Sequence, residues 1–258
     1  MRTRTARIWV MALALVLAGA APAGAGYFYD AYWQPVAMPE GSSPPWTRAM
    51  DDAVRTLVQG DYLRLDTTNA AADREQYVIR DDPSVINTGV PFTADFRLKV
   101  NETSHGTVAT CFLALWHDGS PPGYQYVRYE FDETGVRPRA NEGAKVALDT
   151  TVWHDYRLSV SGNAGGSRTA KLYVLDPTPQ LLLSTGAQGS GSLTWSDTLY
   201  WGDVFTSDSG SADWAFIGWT SEGAFGPDDV LNVPEPCSMA ILGLGATALA
   251  WRRRTRRA

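Results

Sequence analysis

Cysteine and histidine are scarce in this chain: two cysteines and three histidines occur in 258 residues. Cys237 lies close to the C-terminus, so the body holds only Cys111 and cannot close an internal disulfide. An apolar core has to hold it instead. The neighbours Phe112, Leu113, Ala114 and Leu115 mark Cys111 as a buried thiol rather than a nucleophile. None of His105, His117 and His154 has another histidine two or four residues on, which excludes the usual zinc spacing. His117-Asp118 and His154-Asp155 are direct neighbours, and on a strand neighbours point to opposite faces, so neither is a ready base and orienter. Phosphate loops, dinucleotide fingerprints and a Gly-x-Ser-x-Gly elbow are all missing.

Acidic residues are missing from both ends. Residues 1–25 carry Arg2, Arg4 and Arg7 with no acid, and residues 237–258 carry five arginines, again with no acid. Residues 26–236 therefore hold all 28 Asp and Glu but only 14 of the 22 Lys and Arg, a net charge of −14 hidden within the −6 of the whole chain. Such a body repels polyanions, which argues against a nucleic-acid partner. The basic start, the apolar run Ile8 to Ala21 and the small residues Ala21, Ala23 and Ala25 form a secretory signal over residues 1–25. That run is 14 residues, short of the ~20 that a spanning helix needs. Cleavage is expected after Ala25, with Ala23 as the second choice.

At the other end, Val233-Pro234-Glu235-Pro236 is followed by an apolar stretch from Met239 to Trp251, then by Arg252, Arg253, Arg254, Arg256 and Arg257. Physically this is a stiff extended segment, a short apolar helix and a basic stop that stays on the cytoplasmic side. Gly243 and Gly245 make the helix a weak one. In order and character residues 233–258 resemble the PEP-CTERM sorting signal of exopolysaccharide-producing Gram-negative bacteria. The resemblance implies transient lodging in the inner membrane, processing by an exosortase near Pro236, and delivery to the cell surface or extracellular matrix.

Residues 26–232 read as β-structure. From Phe92 to Val100 every even position is apolar and every odd one polar, the period of a strand with one face on a core. Thr169 to Leu175 repeats the pattern, and Val108 to Trp116 is apolar on both faces, as in a central strand. Tyr124 to Asp132 sets Gln125, Val127, Tyr129 and Phe131 against Tyr124, Tyr126, Arg128 and Glu130. Further strands are expected at 53–58, 62–66, 76–80, 153–161, 181–184, 198–204 and 212–220, with turns between them. Residues 35–46, rich in proline, read as an irregular lead-in, and the Gly/Ser run 186–191 as a loop. About a dozen short strands without a helix predict an all-β, two-sheet antiparallel sandwich. The signal helix and the short C-terminal apolar helix flank it.

Trp153-His154-Asp155-Tyr156-Arg157-Leu158 and Asp213-Trp214-Ala215-Phe216-Ile217-Gly218-Trp219 resemble strands of laminin-G-like and concanavalin A-like jelly rolls. The resemblance implies a jelly roll over roughly residues 27–228, with one sheet face that often holds glycans. Laminarinase-like hydrolases of that superfamily carry Glu-x-Asp-x-x-Glu; here Glu130 and Asp132 fit, Gly135 stands where the last Glu belongs, and Glu133 falls on the opposite face. The acid is missing, so no catalytic residue is assigned.

Two candidate sites follow. Tyr124, Tyr126, Arg128 and Glu130 form an amphipathic face, with Trp116 and Trp201 expected beside it at strand ends. Aromatic planes next to hydrogen-bonding groups suit a pyranose, which has an apolar face and a polar rim. Asp203, Asp208 and Asp213 fall in one oxygen-rich run that suits calcium, with Asp30 as a partner from the other terminus. The expectation is an exported, non-catalytic carbohydrate-binding protein associated with matrix polysaccharide. The alternatives are a structural matrix or adhesion protein without a glycan site, or a glycoside hydrolase or polysaccharide lyase on the same fold.

Overall fold

The computed structural model describes residues 27–42, 45–51, 54–68, 75–79, 87–106, 108–117, 123–139, 144–163, 167–192, 197–203 and 209–232. Two eight-stranded sheets dominate it. The first runs, in spatial order, Gln180–Thr185, Thr169–Val174, His154–Ser161, Phe92–His105, Ser209–Thr220, Tyr62–Asp66 and Val54–Val58, with Ala31–Trp33 also paired to Ser209–Thr220. The second runs Val146–Ala147, Gly135–Pro138, Gly123–Asp132, Thr110–His117, Thr198–Asp203, Glu75–Ile79 and Thr47–Asp51, with Gly189–Ser192 also paired to Gly123–Asp132. Every pairing within these two sheets is antiparallel. The only helical turn among the described residues is the 3-10 segment Pro39–Gly41.

Alternation explains the core. Phe92, Ala94, Phe96, Leu98 and Val100 all point inward from the first sheet, as Phe112, Ala114 and Trp116 do from the second. Phe96 sits at the centre: its ring stacks on Phe112 across the two sheets at 4.5 Å and on Tyr156 at 5.2 Å, with Phe131 edge-on at 6.0 Å. A second aromatic group, Trp33, Trp46, Trp201 and Trp214, packs around Trp201 with centroids 5.0–6.0 Å apart. Each large ring removes roughly 150–250 Å² from water, so this stack supplies the core that a body lacking a disulfide needs. Cys111 is fully buried, and burial pushes its thiol well above the ordinary range, as its neighbours had indicated.

The structure corrects several element boundaries. Phe92 begins a 14-residue strand that continues to His105. The lead-in 35–46 is not wholly irregular, since it contains the Pro39–Gly41 turn and delivers Trp46 into the core. Gly189–Ser192 belongs to a strand, paired with 123–126, because ladder hydrogen bonds need backbone groups and not side chains. Gly135, which stands where a catalytic Glu would belong, opens the strand Gly135–Pro138; its φ of 157° and the Val146 carbonyl 2.1 Å from a hypothetical Cβ leave room only for glycine.

The two ends of the body meet on the outer face of the first sheet. Tyr27–Phe28 and Leu231–Asn232 pair in parallel as a two-stranded ribbon. Beneath it, Asp95 accepts hydrogen bonds from Arg157 Nε (2.7 Å), Arg157 Nη2 (2.6 Å) and the Tyr29 hydroxyl (2.5 Å). Arg157 Nη1 donates to the Gly226 and Asp229 carbonyls at 2.5 and 2.8 Å, pinning the C-terminal segment to the sheet. The Ser221 amide and hydroxyl donate to Asp30, and Thr93 Oγ1 bridges the Gly223 carbonyl and the Phe225 amide. Gly218 lets Tyr29 lie flat on the sheet: a Cβ there would meet the Tyr29 and Phe216 rings at 2.7 Å.

Candidate functional site

On the outer face of the second sheet, Tyr126, Arg128 and Glu130 stand on one side of the strand, as alternation requires. Glu130 is nearly fully buried and lies between two cations, Arg128 Nη2 at 2.5 Å and Arg137 Nε at 3.0 Å. Tyr126 packs with Leu115 and Tyr200 in a small buried cluster, and Arg139 lies over its ring at 5.4 Å. The side chain of Tyr124 is outside those described. Trp116 and Trp201 do not join this face. Trp116 is in register with Gln125 and Trp201 with Phe112, which are inward positions, and both indoles are completely buried between the sheets. The sequence expectation for these two is therefore overturned by strand parity: an aromatic one position off faces the core.

Of the aspartates expected to hold calcium, Asp30, Asp203 and Asp213 are each committed to different protein donors. Asp213 lies between the core residues Ala212 and Trp214, so its carboxylate faces away from the core, where it accepts from Arg64 (2.6 and 2.9 Å), Asn101 (2.8 Å) and Lys99 (3.1 Å). Burial alone would raise its pKa, but these donors outweigh burial and hold the carboxyl below its ordinary value. Asp203 is buried and accepts from Thr67 Oγ1 at 2.7 Å. Asp30 is committed to Ser221. Asp208 lies outside the described residues. Among the described residues no three His, Cys, Asp or Glu side chains gather as a metal site. Asp132 and Glu133 are likewise engaged, Asp132 with Lys145 and Thr134 and Glu133 with Thr103, and both carboxyls are held below their ordinary range against the opposing effect of burial.

An open groove lies on the outer face of the first sheet. It has a volume of about 670 Å³ and is bordered by Trp153, Arg97, Asp155, Phe216, Asp61 and Tyr29 among others. Trp153 immediately precedes the strand His154–Ser161, and Arg97 and Asp155 are cross-strand partners in register. Their charged atoms are 3.8 Å apart and both side chains are nearly half exposed, so the pair is loose. Arg97 and Lys99 stand 5.8 and 5.5 Å from the Trp153 ring, and Tyr62 lies 6.1 Å from it. Phe216 reaches the groove because the register shifts between Trp214 and Phe216: Trp214 and Ile217 stay in the core and Phe216 turns outward beside Arg97. Partial burial raises the Asp155 carboxyl above its ordinary value, with Asp176 and Asp95 adding to the effect and Arg97 opposing it. The arrangement offers one aromatic plane, a donor fork and an acceptor at a single surface.

The sequence pattern put Trp153 at the start of a strand and not among the candidate site residues, whereas it lies just before the strand and borders the groove. The signal was present in the charged positions Asp95, Arg97 and Lys99 of an alternating strand, opposite Asp155 and Arg157. Those positions looked like ordinary solvated polar residues, whereas pairing assembles them into one surface.

The body is similar in structure to the carbohydrate esterase of the Shiga toxin-encoding bacteriophage phi24B, at a TM-score of 0.51 and 14% identity, over 75% of this chain and 98% of that one. A protein of unknown function from Shewanella oneidensis MR-1 matches at a TM-score of 0.44 and 12% identity, covering 80% and 91% of the two chains. The exoplasmic/lumenal domain of VIP36, in a Ca2+/Man2-bound form, matches at 0.42 and 12%, covering 74% and 88%. No curated protein matches in sequence. Among the described residues no helix is long and apolar enough to cross a membrane. Val233, Pro234, Glu235 and Pro236, with Arg252, Arg253 and Arg254, lie outside the described residues but fall within a match to a known family model. Residues 232–254 are a PEP-CTERM protein-sorting motif, which makes this chain, all-β in its described body, an exported protein that an exosortase processes.

Proposed function

We propose that the exported body is a concanavalin A-like jelly roll that binds a glycan without catalysis, using the groove around Trp153, and that the chain is anchored in the inner membrane by its C-terminal segment before release to the cell surface or matrix. The observation that carries this reading is the juxtaposition of Trp153 with the half-exposed Arg97–Asp155 pair in an open groove. A sugar ring stacks its apolar face on an indole, and its hydroxyls pair with a guanidinium and a carboxylate. The partner is a matrix polysaccharide with alternating apolar faces and hydroxyl rims.

The absence of catalysis is supported by how the carboxylates are used. Glu130 is closed between Arg128 and Arg137, and Asp132 is bound by Lys145, so neither is poised as acid or nucleophile. The bacteriophage neighbour is named a carbohydrate esterase, and an esterase of the serine type needs a hydroxyl beside a base. His154 is the histidine whose ring is described; its Nε2 donates to the Asp149 carbonyl at 2.8 Å, its Nδ1 faces Asp176 at 3.7 Å, and no serine hydroxyl is bonded to it among the described residues.

Affinity electrophoresis through gels holding single polysaccharides tests the reading, with calcium and then with EDTA. The expected result is retardation of the protein by at least one polysaccharide, lost in Trp153→Ala and weakened in Arg97→Ala, without release of reducing ends or of acyl groups. Retardation unaffected by Trp153→Ala would overturn the assignment of the groove, and product release abolished by Asp155→Asn would overturn the non-catalytic reading.

A further inference from the structure

The ribbon that joins the two ends of the body carries an unusual surface. Tyr27, Phe28 and Val230 are 48%, 49% and 72% exposed, three large apolar side chains on or beside one short ribbon. Tyr27 and Phe28 form one strand of the ribbon, and Val230 immediately precedes the other. The ribbon is not loose: Tyr27 packs on Phe225 at 4.3 Å between centroids, and the Tyr29 amide donates to the Asn232 carbonyl at 3.2 Å. The Arg157–Asp95–Tyr29 cluster holds the whole assembly on the sheet. These residues are thus kept exposed by a rigid support.

The position of the ribbon in the chain says what faces it. The sorting motif begins at Asn232, the last residue of the ribbon, and the apolar stretch starts at Met239. Seven residues span at most about 25 Å when fully extended. An apolar stretch lodged in a bilayer would therefore hold the ribbon within reach of the headgroups. Tyr and Phe are side chains that settle at that boundary, with an apolar body and, in Tyr, a polar tip. The surrounding exposed charges are acidic: Asp30, Glu222, Asp228 and Asp229. Insertion of apolar side chains, rather than attraction to anionic lipid, has to provide the contact.

We propose that the ribbon of Tyr27–Phe28 and Leu231–Asn232 is a lipid-facing surface that seats the folded body on the bilayer interface while the C-terminal segment anchors it. The inference rests on the membrane anchoring proposed above. The seat fixes the orientation of the body, so that the sorting motif leaves it at the membrane surface and not at the end of a free tether.

The test uses the full chain with its tail, in a Cys111→Ala, Cys237→Ser background, carrying one environment-sensitive nitrobenzoxadiazole label at Val230→Cys, Leu181→Cys or Leu244→Cys. The chain is reconstituted into phosphatidylethanolamine vesicles with a minority of phosphatidylglycerol. Leu181 is 48% exposed and belongs to a different strand, so it reports any general stickiness. The expected result is blue-shifted emission, with quenching by headgroup nitroxides, at 244 and at 230 but not at 181. Replacing Tyr27 and Phe28 by serine should raise aqueous iodide quenching at 230 several-fold and leave 244 unchanged. Raising the phosphatidylglycerol content at low salt should weaken the shielding at 230. A shielded 244 with 230 as open as 181 overturns the seat and leaves the anchoring standing. An exposed 244 overturns the anchoring and the seat with it. Shielding at 230 that appears without vesicles and grows with protein concentration assigns the ribbon to a second copy of the chain and also overturns the proposal.

Discussion

Removal of Asp95 tests how the ends of the body are held. Its carboxylate is buried and accepts three hydrogen bonds, two from Arg157 and one from Tyr29. Arg157 is 3% exposed, so Asp95→Ala leaves a guanidinium inside the protein without its counter-charge. Breaking a buried pair from one side costs about 3–5 kcal/mol. For a domain of about 200 residues each kcal/mol is worth roughly 2–4 °C, which puts the expected fall in Tm at roughly 6–20 °C. Arg157→Ala should cost a similar amount and also release the Gly226 and Asp229 carbonyls, so amide exchange over residues 223–232 should accelerate. The double variant Asp95→Leu/Arg157→Leu should lose less than the sum of the single changes, because neither charge is left alone. Scanning calorimetry at neutral pH reads all three. A single Asp95→Ala change that moved Tm by less than 2 °C, or strict additivity in the double variant, would refute the reasoning.

Other outcomes follow from the same structure. Burial raises the hydroxyls of Tyr29, Tyr129 and Tyr156, that of Tyr129 to about 12, so the folded state favours their neutral forms. That stability is complete below the ordinary tyrosine range and lost as pH rises above ~10, at up to about 1.4 kcal/mol per pH unit for each group. Guanidinium midpoints measured at pH 9 and pH 11 should show it, and equal midpoints would contradict it. Asp213, Asp132 and Glu133 are held below their ordinary values, so their contribution is present above ~4 and is lost as pH falls through the lowered values. Asp213→Asn should flatten that acid limb of a stability–pH curve, with Asp155, whose carboxyl is raised, acting in the opposite sense. Trp201→Ala should cost about 3–5 kcal/mol by opening a core cavity, and residual folded protein should bind glycan as before. Loss of binding at unchanged stability would return Trp201 to the sugar site.

The strand content was legible because period-2 patterning survives wherever one face is buried. Phe92 to Val100 and Thr169 to Leu175 were read correctly for that reason. Edges were not legible: Gly189–Ser192 and Thr47–Asp51 lack an alternating apolar face and are held by backbone pairing. The tail could be read because its parts are consecutive in sequence. The candidate site could not, since Trp153, Arg97, Tyr62 and Phe216 come from four strands or their approaches, and a register shift that leaves no mark in the composition turns Phe216 outward. The error over Trp116 and Trp201 has the same origin. Both were judged by their proximity to a polar strand, when the parity of their own strands sends them into the core.

Hydroxyl-radical footprinting of the exported protein, with and without a polysaccharide that retards it, tests the central claim most directly. The oxidation of every accessible aromatic is read in one experiment. The account predicts protection of Tyr62, Trp153 and Phe216, with no change at Tyr173 on the neighbouring strand. Protection confined to the opposite sheet, or none at any of the three, would contradict it.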